Sequence, residues 1–193
     1  MAAVPVVVFS DFACPFSYVT EAALRRMQSA GEVEPTHLAW ELYPAPAPLP
    51  AVDAGGWMDA LRPLANELGV ALRVPAPVRT RKAHEAAAFA AAKGAGPAVR
   101  EALFAAHFAE GRDIGRIDVL VEIGAGAGLD ASELKVVLDV DAFAARVAAE
   151  QEAARRAGVQ EVPTLVIGTG DEARWLVGAR AYAELRAAVL HGG

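Results

Sequence analysis

The chain has 193 residues, with 18 basic and 24 acidic side chains giving a formal net charge of −6. That length suits one well-buried body, alone or with a sizeable insertion, and neither sign of charge gathers into a block that would hold nucleic acid. The hydrophobic fraction of 54% is rich in alanine, a strong helix former that buries little area, so it predicts a helix-rich soluble protein and no membrane partner.

The first nine residues, Met1 to Phe9, are apolar, but no basic residue precedes Arg25 and the run is cut by Ser10 and Asp11. It fits neither a signal peptide nor a membrane span. A single cysteine excludes an internal disulfide and favours a reducing compartment, so the cytoplasm is the expected location. His37, His84, His107 and His191 with that one cysteine show no ligand spacing, and no metal is expected.

In chain order, Val6 to Ser10 is a β-branched run that reads as a buried strand. Cys14 follows, and Pro15 suits the first position of a helix that continues from Tyr18 to Ser29 and stops at Gly31. Thr36 to Tyr43 reads as a second strand, parallel to the first, ending in the stiff connector Pro44 to Pro50. From there to Leu138 the pattern is helical: Trp57 to Leu68, Thr80 to Lys93, Pro97 to Ala109, Ile117 to Ala125, and a short helix that Asp130 caps with Glu133. Asp141 is read as the cap of a long helix through Arg156. Strands at Val162 to Ile167 and Arg174 to Val177 and a terminal helix from Tyr182 to Leu190 complete the chain. The order β-α-β, helical block, α-β-β-α predicts an α/β body of residues 1–50 and 141–193 with an all-helical insertion at 51–140.

Cys14 just ahead of a helix meets the positive end of the helix dipole and the free N–H groups of the first turn, which lower a thiol's pKa. The expectation is a nucleophile; the plain alternative is an inert core cysteine. Ser17 lies one turn on, where its hydroxyl either donates to the thiolate or satisfies the helix terminus. Asp11 is near enough to modulate the thiol, or simply caps. His107, among Phe104 and Phe108, reads as packing. Gly124 to Gly128 follows a helix and lacks a Lys-Ser or Lys-Thr, so it is a turn and no phosphate loop. Trp40, Trp57 and Trp175 are assigned to core or interface.

Cys14-Pro15-Phe16-Ser17 after a first strand, the helical insertion and the later Gly158-Val159-Gln160-Glu161-Val162-Pro163-Thr164 together resemble the DsbA family of thioredoxin-fold proteins. Ala83-His84-Glu85-Ala86 and Leu103 to Ile114 are similar to its FrnE-like cytoplasmic branch. The resemblance implies a thioredoxin fold with an inserted helical domain, a cis Pro163 opposite Cys14, and a Val162 backbone that offers strand-like hydrogen bonds to a bound thiol or peptide. It also implies a substrate wall of Pro15, Phe16, Val162 and Pro163, with His84 on a helix folded over the mouth, in contact with substrate or merely packed.

Two departures matter. Redox-active members carry a second cysteine where this chain has Ser17, so a mixed disulfide cannot be resolved internally. Arg79 stands where that branch has an asparagine, which weakens any ligand role for Arg79, Thr80 and Arg81. The Cys14 segment is also similar to kappa-class glutathione transferases and 2-hydroxychromene-2-carboxylate isomerases, which have serine at the position of Cys14.

Three readings follow. The first is a monothiol thiol-disulfide oxidoreductase in which Cys14 attacks a small-molecule or protein disulfide and an external thiol, glutathione or an equivalent, resolves the product. The second is a glutathione-dependent isomerase or transferase, with Cys14 or Ser17 steadying a cofactor thiolate beside an apolar substrate. The third is a non-catalytic binding or chaperone-like module. No tightly bound cofactor is expected, and exposed apolar residues on the insertion suit a homodimer.

Overall fold

Valines 4, 6, 7 and 8 favour a pleated, extended backbone, and they form the central strand β1 (Val4–Ser10). The computed structural model describes residues 2–51 and 56–191. After β1 come α1 (Pro15–Ser29) and β2 (Val33–Ala39), then α2 (Trp57–Leu68), α3 (Arg81–Ala92), α4 (Gly96–Phe108), α5 (Ile117–Gly126), α6 (Ala131–Asp139) and α7 (Ala144–Arg156). β3 (Thr164–Ile167), β4 (Arg174–Val177) and α8 (Tyr182–Leu190) close the chain. The sheet runs β2-β1-β3-β4, with β1 parallel to β2 and antiparallel to β3, and β3 antiparallel to β4. This is a thioredoxin-like α/β sheet carrying a long helical excursion between β2 and β3.

Each sheet face buries alternate residues against a different helical layer. Val6, Val8, Leu165 and Ile167 pack with Ala23, Leu24 and Met27 of α1 and Leu185 and Val189 of α8. Phe9, Val7 and Val166 turn the other way, onto Ala154 of α7 and Val159. A separate core of alanine, leucine and phenylalanine fills α3 to α6, and Phe12 and Tyr18 plug into it from the body. α2 packs instead on the body, through Leu61 and Ala65 against Val19. None of the helices among the described residues is long and apolar enough to cross a membrane.

β1 begins two residues earlier than expected and β3 two residues later, and two further elements differ from the sequence expectation. β2 begins at Val33 and ends at Ala39, earlier at both ends than Thr36 to Tyr43. Its register against β1 runs from Val4 opposite Val33 to Ser10 opposite Ala39, so pairing ends where β1 ends. Beyond it, Gln151 takes the Glu41 N–H (3.4 Å) and Asp11 the Leu42 N–H (2.5 Å), which bends the chain away. Pro35 is tolerated inside β2 because an edge strand need not use every N–H. α7 begins at Ala144 and not at Asp141, because Asp141 has φ 54° and sits in a turn, its carboxylate bonded to Lys82.

Candidate active site

The Cys14 turn is built by short-range contacts. Asp11 is fully buried; one carboxylate oxygen accepts the Ala13 N–H (3.2 Å), the other the Leu42 N–H, and its backbone carbonyl accepts the Cys14 N–H (3.0 Å). Cys14 then caps α1 with extended backbone, φ −96° and ψ 114°, and Pro15 takes the first helical position. Phe12 and Tyr18, on either side, are clamped in the helical block: Phe12 lies 4.9 Å from the Phe104 ring, and Tyr18 stacks 5.6 Å from Phe104 and 5.5 Å from Phe108.

The sulfur has two partners. It accepts the Ser17 backbone N–H at 3.4 Å, as a helix cap does, and its thiol donates to the Val162 carbonyl at 3.4 Å, 148 residues away in sequence. Cys14 is only 4% exposed. Burial pushes its pKa from an ordinary 9.0 up to about 11, against the pull of Ser17, and the Asp11 charge adds to the rise. The expected lowering by the helix end is therefore corrected: removal from water outweighs it, and the thiol is protonated at neutral pH. The Ser17 hydroxyl is buried with no hydrogen-bond partner of good geometry, so it remains a spare donor beside the sulfur.

Cys14 borders a cleft of about 660 Å³. Pro15, Phe16 and Val162 line it with Cys14, whereas Pro163 and Ser17 are buried and do not line it. The Val162–Pro163 peptide is cis, and the Pro163 carbonyl accepts the Gly178 N–H at 2.8 Å. Tyr43, Trp57, Pro75, Pro77, His107 and Glu161 also line the cleft. Trp57 and His107 thus belong to its wall as well as to packing. His107 keeps its packing role, edge-on to Phe108 with its Nδ1 3.2 Å from the Arg112 carbonyl, and burial lowers its pKa. Val74 to Pro77 carries no chemical group that would have marked it in the sequence; only its resemblance in composition to the Pro44 to Pro50 connector hints at an extended wall.

His84 requires a correction. It does not lie over the mouth of this cleft but is buried behind the Cys14 turn, with its ring 5.0 Å from Phe12 and its Nε2 3.4 Å from an Asp11 carboxylate oxygen. Helix α3 packs this face inward because His84 falls within an unbroken buried run from Ala83 to Ala90. Arg79 is likewise committed to backbone: it bonds the Tyr43 carbonyl at 2.6 Å and the Ala47 carbonyl, tying down the proline connector.

Comparison with known proteins agrees with this fold. The chain is 32% identical over 170 residues to YwbO of Bacillus subtilis, an uncharacterized protein, covering 83% of this chain and 85% of that one. Its structure is similar to that of a probable DsbA oxidoreductase from Streptomyces coelicolor (TM-score 0.82, 29% identity, covering 96% of this chain and 88% of that one). At 20% identity it shares the fold of a 2-hydroxychromene-2-carboxylate isomerase (TM-score 0.75; 95% and 93% covered) and of the cytosolic disulfide reductase DsbM of Pseudomonas aeruginosa with GSH (TM-score 0.67; 89% and 89% covered). The sequence matches the DSBA-like thioredoxin domain over residues 5–189, and with a thioredoxin sheet, a buried N-cap cysteine and an opposing Val162–Pro163 segment, the chain belongs to that family.

Proposed function

We propose that this protein is a thiol-disulfide oxidoreductase that works with one cysteine and an external thiol. The observation that carries this reading is the Cys14 sulfur at the first turn of α1, 3.4 Å from the Val162 carbonyl and opening on the cleft, with serine at the position of a resolving cysteine. A disulfide R–S–S–R′ lying along the cleft takes Val162 as its backbone partner. The Cys14 thiol gives its proton to solvent, its sulfur attacks one sulfur of the substrate, and R′–S⁻ leaves and takes up a proton. The product is Cys14–S–S–R. An external thiolate then attacks the R sulfur, and Cys14 leaves and is reprotonated; the net change is R–S–S–R′ and G–SH to R–S–S–G and R′–SH. Because a thiol with a high pKa is a poor leaving group, the mixed disulfide is long-lived and its resolution is slow. Ser17 Oγ is the spare donor that steadies the Cys14 thiolate in both steps.

Glutathione is the natural external thiol for this reading, supported by the GSH in the DsbM structure of the same fold. A single cysteine, without a partner for a structural disulfide, supports a reducing compartment such as the cytoplasm. The test is mass spectrometry after incubation with oxidised glutathione. One glutathione on Cys14, removed by added reduced glutathione and absent in Cys14→Ser, is the expected result; unchanged glutathione-dependent disulfide reduction by Cys14→Ser would refute it.

One observation favours a second reading. The Cys14 thiol is protonated and already serves as a hydrogen-bond donor, which is the role required of a group that steadies a bound glutathione thiolate in an isomerase or transferase. Saturable glutathione binding without any covalent adduct would select it.

A further inference from the structure

A second cavity of about 330 Å³ lies on the far side of the Cys14 turn and shares no lining residue with the cleft. Its walls are the outer edge of β2, one face of α1, the α3–α4 hairpin and α7. The volume falls at the lower end of the range of small-molecule sites, about 300–1,000 Å³.

The polar groups around this cavity are unbalanced. Its two carboxylates are engaged on both oxygens. Glu21 takes Arg100 Nε (3.2 Å) on one and Arg100 Nη2 (3.0 Å) on the other. Glu150 takes the Ala39 N–H (2.9 Å) on one and Arg146 Nε (2.8 Å) on the other. Glu21 stays ionised, since Arg100 and His37 outweigh the burial that opposes its charge. The donors, by contrast, are left over. Arg100 Nη2 also reaches Ser10 Oγ (3.0 Å), but its Nη1 makes no hydrogen bond among the described residues, nor do the two terminal nitrogens of Arg146. The buried His37 Nε2 lies 3.0 Å from a Glu21 oxygen, whereas the buried His84 Nε2, 3.4 Å from Asp11, makes no hydrogen bond of good geometry among the described residues. Between these polar ends, Ala87, Ala88, Ala91 and Pro97 present a flat apolar wall.

A cavity with engaged acceptors and spare donors is completed by a ligand that brings acceptors, and a guanidinium fork matches a planar carboxylate. We infer that this cavity is a second ligand site, which takes a small organic carboxylate: the anion at the Arg100, His37 and His84 end, and an apolar body along the α3 alanines.

The test uses benzoate as the probe, titrated into the full chain by calorimetry and followed by the imidazole proton resonances. Benzoate is expected to saturate one site and to shift His37 and His84. Benzamide, of the same shape without the charge, should bind at least about tenfold more weakly. Ala88→Leu fills the apolar wall without removing a charge and should weaken benzoate at least about tenfold by excluding it from a close-packed space. Should that variant not fold, His37→Gln, at the end that takes the anion, is expected to weaken benzoate and leave benzamide unchanged. Absence of saturable benzoate binding, equal binding of benzoate and benzamide, or shifts confined to residues around Cys14 would each overturn the proposal.

Discussion

The ionisation of Cys14 is the most direct check on the reasoning. A helix N-terminus stabilises an anion by about 0.3–1 kcal/mol, rising to about 2 in partly buried positions. Burial of a 4% exposed sulfur works the other way and prevails, placing the thiol at about 11 against an ordinary 9.0. At pH 7 that leaves roughly one molecule in ten thousand as thiolate. The rate of alkylation by iodoacetamide should therefore climb about tenfold per pH unit from neutrality to beyond pH 9, and thiolate absorbance should show its midpoint in the same high range. Stability carries the same signature. Below pH 9 both folded and unfolded chains hold the proton, so the contribution is complete. As pH rises towards 11 the unfolded thiol ionises and the folded one does not, so stability is lost, by about 2–3 kcal/mol in total. Subtracting the unfolding profile of Cys14→Ser isolates this slope from lysines and tyrosines that titrate nearby. A midpoint at or below the ordinary 9.0 would show that the helix end and Ser17 outweigh burial, and would refute the argument.

Other outcomes follow from the same geometry. Ser17→Ala removes a hydroxyl that makes no hydrogen bond of good geometry among the described residues, so denaturant unfolding should shift by less than about 1 kcal/mol, while alkylation of Cys14 at a fixed pH slows because the thiolate loses a donor. Asp11→Asn removes a charge that raises the thiol pKa, so the alkylation midpoint should move down; Asp11→Ala orphans the Ala13 and Leu42 N–H groups and should cost about 2–5 kcal/mol in chemical denaturation. Arg100→Met leaves Glu21 charged and buried and should destabilise by about 3–5 kcal/mol, whereas the double variant with Glu21→Gln should recover much of that, a difference read in a double-mutant cycle.

Much of the body was legible because its signals are local. Pro15 after Cys14, Gly69 after Leu68 with its left-handed backbone at φ 69°, and Asp130 accepting the Glu133 N–H at 2.7 Å are all short-range devices, and the corresponding helices begin or end as they predict. The β2 boundaries were not legible, since they depend on where β1 stops and on side chains of Asp11 and Gln151 that approach from elsewhere. The thiol pKa was not legible for a related reason. The helix end is visible in the sequence, but the enclosure of Cys14 beside Val162, and the clamping of its neighbours Phe12 and Tyr18, depend on contacts made across the fold. The position of His84 was not legible, because a histidine among alanines carries no mark of what packs around its helix.

The plugging of Phe12 and Tyr18 into the α3–α6 core makes the Cys14 turn a joint between two packing units. Those units need not open with the same free energy, and amide exchange can measure each separately. A reagent too large for the cleft meets the sulfur only during the fraction of time in which His107 and Phe108 of α4, which line it, move aside. For such reagents the observed rate is the intrinsic thiol rate multiplied by that open fraction. Temperature, denaturant and mutations deep in the helical core then act on Cys14 chemistry without touching the turn, and labelling kinetics at a single sulfur become a gauge of cohesion in the helical unit.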